Sequence, residues 1–284
     1  MAPGIGDAAA FPYGRRDDGE TMMRAMMIAV AMLAATAATA QPAGVAEAMR
    51  QPGAAAPATK LPPGYLAGKP PVEILKLLPP PPVAGSAQDI ADRAVYADSA
   101  RGIDGADWAR AKSQLNPTGA GYFAQLSCAL GAAISPQATP ATLALIARAG
   151  VDFSAPMTVA KDFWKRGRPF TTDKGKACDP VSDDGVGARL GYAYPSGHSG
   201  IGWLWAIILS DVAPARAEPL RALGQATGDL RLACRVHWLS DVVYGRVLAT
   251  AVYDRIAAEP EYQADLARAR AEIAKAPPLA CPAA

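Results

Sequence analysis

The sequence predicts an all-α protein, with one domain folded as a single helical bundle. Apolar residues recur at close to helical spacing from Ser86 onward, and prolines divide this pattern into segments of helical length. No stretch shows the sustained alternation of β-branched residues, bounded by turns, that is typical of strands. The 244 residues that follow a predicted 40-residue leader are enough for one domain with a sizeable core.

The first 40 residues are expected to be an upstream extension and a signal peptide. Arg24 belongs to a short basic segment, residues 25–37 are continuously small or apolar, and Ala38-Thr39-Ala40 has the small-x-small pattern of a cleavage site. We therefore expect a mature chain that begins near Gln41 and is periplasmic or secreted. Arg15-Arg16 leaves a twin-arginine signal as the alternative, although acidic residues follow where that signal needs apolar ones.

The rest of the chain divides by composition. Residues 41–63 are rich in Ala, Pro, Gly and Gln and predict a flexible N-terminal arm. The helical domain is expected to span 64–276, followed by a C-terminal tail at 277–284. Removing the leader takes away three arginines and four acidic residues, so the net charge changes from +2 to +3. This small charge predicts no nucleic-acid partner, and no later apolar run is long enough to predict a membrane contact after the signal is removed.

Individual helices follow from apolar spacing and from proline positions. Ile90, Ala94 and Val95 begin the helical pattern, Trp108 and Ala111 continue it, and Asn116-Pro117 ends it. The proline run 79–82 predicts extended chain before these helices. Further helices are predicted at about 119–132, 140–149, 155–165, 199–212, 218–233, 237–257 and 260–275, with boundaries at Pro136, Pro140, Pro156, Pro214 and Pro260.

The four cysteines, Cys128, Cys178, Cys234 and Cys281, favour disulfide bonds in an exported protein. No C-x-x-C pair is present, so the cysteines predict no metal site. Three pairings are possible from the sequence, and buried free thiols are the alternative.

The first candidate segment runs from Lys161 to Pro169. Lys161 and Arg168 are seven residues apart, which on a helix is two turns and places both cations on one face. Arginine offers a planar fork to two phosphate oxygens and lysine offers a point charge, so the pair suits a phosphoryl group. A solvated basic helix end is the alternative.

The second candidate segment contains Ser196, Gly197 and His198, just before a helix predicted to start near Ser199. Backbone N–H groups at a helix N-terminus bind anions, the Ser196 hydroxyl can help, and glycine permits close approach of the backbone. His198 would then donate a proton to a leaving group beside that anion. A structural histidine before an apolar helix is the alternative.

The third candidate segment contains Arg231, His237 and Asp241. His237 and His198 are the only histidines in the chain, and Asp241 follows His237 by four residues, which on a helix places both on one face. An aspartate that accepts a hydrogen bond from one imidazole nitrogen fixes the tautomer and leaves the other nitrogen to attack phosphorus. A helix-surface His–Asp pair is the alternative.

Together these segments resemble the signature of the type 2 phosphatidic acid phosphatase superfamily. That signature is Lys, six residues, Arg-Pro; then Pro-Ser-Gly-His; then Ser-Arg, five residues, His, three residues, Asp. It is matched here by Lys161 with Arg168-Pro169, by Pro195 to His198, and by Leu230-Arg231 with His237 and Asp241. The runs 77–86, 194–203 and 234–242 are more narrowly similar to bacterial class A nonspecific acid phosphatases, over about residues 65–272.

The resemblance implies a helical bundle of the type 2 phosphatidic acid phosphatase/haloperoxidase type and an acid phosphatase, a phosphoric monoester hydrolase that uses no metal and no other cofactor. It assigns the nucleophile to His237, the general acid and base to His198, and the orientation of His237 to Asp241. Phosphate is held by Lys161, Arg168, Ser196, Gly197 and Arg231.

The resemblance also implies partners and disulfides. It implies small phosphomonoester substrates, possible transfer of the phosphoryl group to an alcohol, and a homo-oligomer. It implies a Cys178–Cys234 disulfide, because relatives have cysteines near these positions, and Cys128–Cys281 is then the remaining pair.

Two residues depart from the pattern. Leu230 replaces the signature serine, and Arg235 replaces a glycine or small residue, where it is expected either to alter substrate preference or to face solvent. Residues 170–194 are the candidate for a mobile loop over the site. The alternatives in function are a vanadate-dependent haloperoxidase, a membrane lipid phosphatase, and a phosphate-binding relative with weakened catalysis, for which Leu230 is the motivating feature.

Overall fold

The computed structural model describes residues 62–180 and 190–281. Within these ranges the chain forms ten α-helices and no strand, which confirms the predicted all-α class. The expected leader, nearly all of the expected arm and the last three residues of the expected tail lie outside the described residues.

The helices follow one another with short connections. In chain order they are α1 (Ile74–Leu77), α2 (Ala87–Ser99), α3 (Ala106–Ser113), α4 (Ala120–Leu130), α5 (Pro140–Trp164), α6 (Phe170–Asp173), α7 (Gly197–Val212), α8 (Ala217–Ala233), α9 (Leu239–Ala257) and α10 (Pro260–Ile273). Short 3₁₀ turns occupy Ala100–Gly102 and Pro214–Arg216. The helix predicted to follow Ser86 begins there because the Ser86 hydroxyl accepts a hydrogen bond from Asp89 N and caps α2.

The prediction of two helices at 140–149 and 155–165 is wrong, because α5 is one continuous helix with Pro156 inside it. Proline removes the hydrogen bond to the carbonyl four residues earlier and normally bends or ends a helix. Pro156 is buried on the face that also buries Ile146, Phe153 and Ala160, so packing of that face against the core holds the helix together.

Helix α5 is also the one helix of the described residues that is long and apolar enough to cross a membrane by length and composition. Leu145, Ala149 and Phe153 of this helix are buried in the bundle, so part of its apolar character serves the core.

Helix α7 lies at the centre of the bundle and touches α9 through main-chain atoms. A Cβ atom on Gly200 would lie 2.9 Å from the carbonyl oxygen of Gly245, and a Cβ on Gly245 would lie 2.5 Å from the carbonyl oxygen of Ser196. Neither position has room for a side chain. The N-termini of α7 and α9 therefore lie side by side, at the same end of the bundle.

Helix α8 runs in the opposite direction along α7. Gly228 near its end lies against Ser199, and Gly224 lies against Ala206 further along α7. The C-terminal end of α8, which carries Arg231, is thus brought to the N-terminal ends of α7 and α9. Two helix N-termini at one place favour the binding of an anion.

A second, smaller apolar cluster supports this end of the bundle. It consists of Trp108, Ala111, Phe170, Cys178, Leu230, Cys234 and Val236. The structure pairs Cys178 with Cys234 inside this cluster and Cys128 with Cys281 between α4 and the C-terminal segment. These are the two pairs that the family resemblance implied, among the three pairings that the sequence alone left open.

Candidate active site

A cavity of about 190 Å³ lies where the N-termini of α7 and α9 meet the end of α8. Its lining contains Lys161, Arg168, Asp179, Leu190, Gly197, His198, Arg231, Val236 and His237. Six of the eight site residues named from the sequence are in this lining, and the other two, Ser196 and Asp241, are fully buried next to it. A larger cavity of about 530 Å³, between residues 64–76 and α5, has no histidine or arginine in its lining. The groups suited to phosphate chemistry therefore gather at the smaller cavity.

The two cations of the first segment reach the cavity, but not along one helix face as expected. Helix α5 ends at Trp164, and Lys165 takes a left-handed conformation with φ 47°, so Arg168 lies beyond the helix. The turn at Lys165 redirects the chain, so Arg168 and Lys161 reach the cavity from different sides. Burial, and secondarily Arg168, lowers the pKa of Lys161 to about 7.

Arg168 is anchored by backbone carbonyls. Its Nε donates to Gly191 O at 2.9 Å, and its Nη2 donates to Leu190 O at 2.8 Å. Its Nη1 donates to Val236 O at 2.9 Å and lies 3.2 Å from His237 Nε2. Burial lowers the pKa of this guanidinium to about 10. Its position is therefore fixed before any ligand binds.

Ser196 and Gly197 form the start of α7. The Ser196 hydroxyl oxygen accepts a hydrogen bond from Ser199 N at 3.3 Å and caps the helix, so the helix starts two residues earlier than predicted. Ser196 N donates to Asp241 O at 2.9 Å, which ties this turn to α9. Gly197 lines the cavity, and its N–H, at the first position of the helix, has no partner within the helix.

His198 has its ring fixed by one backbone contact. Its Nε2 lies 2.9 Å from Leu115 O, and because a carbonyl only accepts, Nε2 carries the hydrogen and Nδ1 remains available. Burial, and secondarily Arg231, lowers the pKa of His198 to about 3.

His237 and Asp241 are in contact, but His237 is not on the helix as predicted. Helix α9 begins at Leu239 with Trp238 as its N-cap, and Asp241 folds back so that its Oδ2 accepts from Trp238 N at 2.8 Å. The same oxygen lies 3.2 Å from His237 Nδ1. A carboxylate accepts, so Nδ1 carries the hydrogen and Nε2 faces Arg168 at the cavity. Burial, and secondarily Arg168, holds the pKa of His237 well below its usual range.

Asp241 has a second partner that sequence reasoning missed. Arg166 Nη1 donates to Asp241 Oδ1 at 2.6 Å, and Arg166 Nη2 donates to Asp92 Oδ2 at 2.6 Å. Burial raises the pKa of Asp241 to about 6, against the opposing effects of Arg166 and Trp238 N–H. Arg166 lies in the first candidate segment, but no spacing rule relates it to Asp92, so the sequence carried no signal for this contact.

Arg231 is almost fully buried, at 1% exposure. Its Nη2 donates to Ala111 O at 2.8 Å, whereas its Nε has no hydrogen-bond partner among the described residues. Burial lowers the pKa of Arg231 to about 10, and Asp179 opposes that effect. Asp179, Leu190 and Val236 line the cavity as well and were not predicted.

The expectation that Arg235 faces solvent is wrong. Arg235 is 4% exposed and is not among the residues that line the cavity. Its Nη1 donates to Tyr96 O at 3.0 Å and its Nε donates to Lys176 O at 3.0 Å. Its guanidinium also lies 4.0 Å from the centre of the Tyr96 ring. Arg235 therefore joins α2 to the segment after α6.

Leu230 is also absent from the lining of the cavity. It is 4% exposed and packs in the smaller apolar cluster beside the Cys178–Cys234 disulfide. Of the expected loop at 170–194, Phe170–Asp173 form α6, and residues 181–189 lie outside the described residues.

Comparison with known proteins identifies the family of this chain. The model of the PAP2 superfamily matches residues 137–256, a range that contains both histidines and Asp241. The acid phosphatase of Zymomonas mobilis is 32% identical over 203 residues, which cover 71% of this chain and 76% of the relative. The non-specific acid phosphatase of Providencia stuartii is 30% identical over 212 residues, covering 74% and 85%, and that of Salmonella typhimurium is 30% identical over 200 residues, covering 69% and 78%. With its fold, its cavity and these relatives, the chain belongs to the class A non-specific acid phosphatases of the PAP2 superfamily.

Proposed function

We propose that this phosphatase hydrolyses small phosphomonoesters through a phosphohistidine on His237, without a metal ion. The observation that carries the proposal is the orientation of His237, whose Nδ1 is held by Asp241 while its Nε2 faces a cavity lined by Lys161, Arg168 and Arg231. A nucleophile with a fixed tautomer beside three cations suits attack on a phosphoryl group.

The lowered pKa values of the cations support an anionic substrate. Burial lowers the pKa of Lys161 to about 7 and those of Arg168 and Arg231 to about 10. A phosphoryl dianion would offset this cost by direct pairing with the buried charges. Arg231 Nε, which has no partner in the described residues, supplies a donor, and Gly197 N–H and the Ser196 O–H supply others.

The reaction then proceeds in two displacements. In the first, His237 Nε2 attacks phosphorus, the ester P–O bond breaks, and the leaving oxygen takes a proton from His198. In the second, His198 removes a proton from water, the water oxygen attacks phosphorus, and the P–N bond breaks to release phosphate. Because Leu115 O holds His198 Nε2, the proton moves through Nδ1.

Substrate binding should change the protonation state of His198 and so allow it to act as an acid. A pKa of about 3 leaves His198 neutral at pH 5. The negative charge of a bound phosphoryl group favours the imidazolium form and so supplies the acid for the first step.

The decisive experiment compares the wild type with His237→Ala in hydrolysis of p-nitrophenyl phosphate at pH 5 to 7, with EDTA present. We expect turnover that EDTA does not reduce and that the variant lacks, with circular dichroism showing that both are folded. Intact mass spectrometry after an alkaline quench should detect a phosphoenzyme in the wild type alone. No turnover in folded wild type would refute the proposal and favour a vanadate-dependent haloperoxidase or a binding-only relative.

We further propose export, a homo-oligomeric assembly and phosphoryl transfer to alcohols as a side reaction. Two disulfide bonds support an oxidising compartment. N-terminal sequencing of the protein recovered from the periplasm should begin near Gln41, and light scattering of that material gives its assembly state. Product analysis with added alcohol measures transfer.

A further inference from the structure

Arg166 bridges two buried carboxylates behind the candidate nucleophile. Its Nη1 donates to Asp241 Oδ1 and its Nη2 donates to Asp92 Oδ2, both at 2.6 Å. Asp92 is 1% exposed and the Arg166 side chain is 12% exposed. Neither residue is in the lining of the 190 Å³ cavity, so neither is placed to touch a substrate there.

Ser240 closes this arrangement into a ring of hydrogen bonds. Its hydroxyl accepts from Arg166 Nη1 at 2.7 Å and donates to Asp92 Oδ2 at 2.6 Å. Its backbone N–H donates to Asp92 Oδ1 at 2.8 Å. Asp92 on α2 therefore fixes both Arg166 and the first turn of α9. In this buried setting each charge is paired and each oxygen of Asp92 is used, which favours a single geometry.

The ring acts on the orientation of the Asp241 carboxylate. Asp241 Oδ2 contacts Trp238 N and His237 Nδ1, and Oδ1 contacts Arg166. The charged N–H of Arg166 Nη1 on Oδ1 therefore opposes rotation of the carboxylate about its Cβ–Cγ bond, and with it fixes the direction in which Oδ2 faces the imidazole. If the carboxylate turned, His237 Nδ1 would lose its acceptor and Nε2 would no longer be fixed as the unprotonated nitrogen.

We propose that Arg166 and Asp92 are positioning residues that act through Asp241 on the tautomer and direction of His237. The proposal rests on the proposed role of His237 as nucleophile. Loss of Arg166 or Asp92 should therefore slow the attack by His237. Phosphate binding should change little, because it depends on the cavity cations, which Arg166 does not contact.

The kinetic test uses Arg166→Lys, which keeps the charge and loses the fork, and Asp92→Asn, which keeps the shape and loses the charge. We expect kcat for p-nitrophenyl phosphate to fall by about 100-fold in each variant. A loss of this size is typical when a reacting group is misplaced by about 1 Å. The inhibition constant of inorganic phosphate should change by less than about 3-fold. Equal losses in both quantities would overturn the proposal.

Arg148→Lys is the matched control. The Arg148 side chain is 11% exposed and also pairs with two carboxylates, those of Asp265 and Glu261, but it lies between α5 and α10. We expect this variant to keep kcat within about 3-fold of the wild type. A loss as large as that of Arg166→Lys would mean that any broken buried ion pair lowers activity, and the proposal would fail.

A double-mutant cycle tests whether the effect passes through Asp241. In the background of Asp241→Asn, the further change Arg166→Lys should lower kcat by less than about 3-fold, because the carboxylate that it positions is already gone. Independent, multiplying losses would contradict action through Asp241. If Arg166→Lys does not fold, Asp92→Asn takes its place in the cycle. A second test measures whether added guanidinium restores kcat to Arg166→Ala, with added sodium ion as the control.

Imidazole NMR separates a failure of this proposal from a failure of the proposed function. The chain has only two histidines, so two ring spin systems are expected, and His198→Asn assigns them. His237 should be in the Nδ1–H tautomer in the wild type and should lose that preference in Arg166→Lys and Asp92→Asn, whether or not the protein turns over substrate. An unchanged His237 tautomer in both folded variants would overturn the positioning role, whereas an inactive wild type would overturn only the proposed reaction.

Discussion

His237 Nδ1 and Asp241 Oδ2 lie 3.2 Å apart although His237 is outside the helix that carries Asp241. The contact forms because Asp241 caps the helix, with the same oxygen accepting from Trp238 N. One carboxylate thus has two roles, because it caps the N-terminus of α9 and also orients the imidazole. Stability and reactivity are joined at this residue.

Replacing Asp241 by Asn should therefore affect both. We expect kcat to fall by about 100-fold or more, because an amide can present either its oxygen or its NH₂ to His237 Nδ1 and no longer fixes the tautomer. The loss of the ion pair with Arg166 should lower the free energy of unfolding by about 3 kcal/mol. Initial rates and urea unfolding measure the two effects, and a variant with normal kcat would contradict the assigned role.

Binding of a dianion should draw a proton into the cavity. The pKa of His198 is lowered to about 3, so at pH 5 the ring is neutral before binding, and a dianion beside it favours the protonated form. We expect calorimetry with sulfate at pH 5 to show net proton uptake, seen as a binding enthalpy that depends on the buffer. The uptake should become smaller in His198→Asn, where His237, whose lowered pKa the same anion opposes, can still take up a proton at the cavity. A buffer-independent enthalpy in the wild type would count against this coupling.

Removing the half-buried Lys161 should stabilise the ligand-free protein. The pKa of Lys161 is about 7 in the folded state against about 10.4 when unfolded, so the unfolded chain binds more protons between these values and the charge is a cost to folding near pH 7. We expect Lys161→Met to raise Tm by about 2–4 °C at pH 7 while weakening sulfate binding. The same change at exposed Lys112 is the control, and a lower Tm for Lys161→Met would contradict the expected sign.

Restoring the signature serine should destabilise this chain. Leu230 is 4% exposed and packs with Trp108 and Cys178, so Leu230→Ser creates a cavity and buries a hydroxyl. We expect a loss of about 2–4 kcal/mol in the free energy of unfolding, with little change in phosphate affinity. Leu75→Ser, at a position that is 41% exposed, is the control. Improved affinity for phosphate in Leu230→Ser would show that the serine reaches the site after all.

The positions predicted from the sequence are those that lie together in short segments. Gly197 and His198 are adjacent, and Arg231 and His237 are close in the chain, so the local pattern was enough to name them. The Arg166–Asp92 contact joins residues 74 positions apart and depends on where α2 packs, which no local pattern encodes.

The local geometry around the named residues was harder to predict. The four-residue spacing predicts that His237 and Asp241 are neighbours on one helix face. They are neighbours, but His237 lies before α9, and the N-cap turn brings the two side chains together. Likewise Pro156 alone predicts a helix boundary, since proline disfavours the interior of a helix. Burial of the surrounding face of α5 outweighed that local preference.

The contact of α7 with α9 at Gly200 and Gly245 determines which substitutions can change the spacing of the two helices at the candidate active site. At these glycines main-chain atoms of α7 and α9 meet directly, and the Phe153 ring of α5 also lies against Gly200. Substitutions in the surrounding core can exchange one side chain for another without altering that spacing. At the two glycines, by contrast, a methyl group would lie less than 3 Å from atoms of the neighbouring chain segment, so the spacing between His198 and the turn of His237 depends on one glycine in each supporting helix.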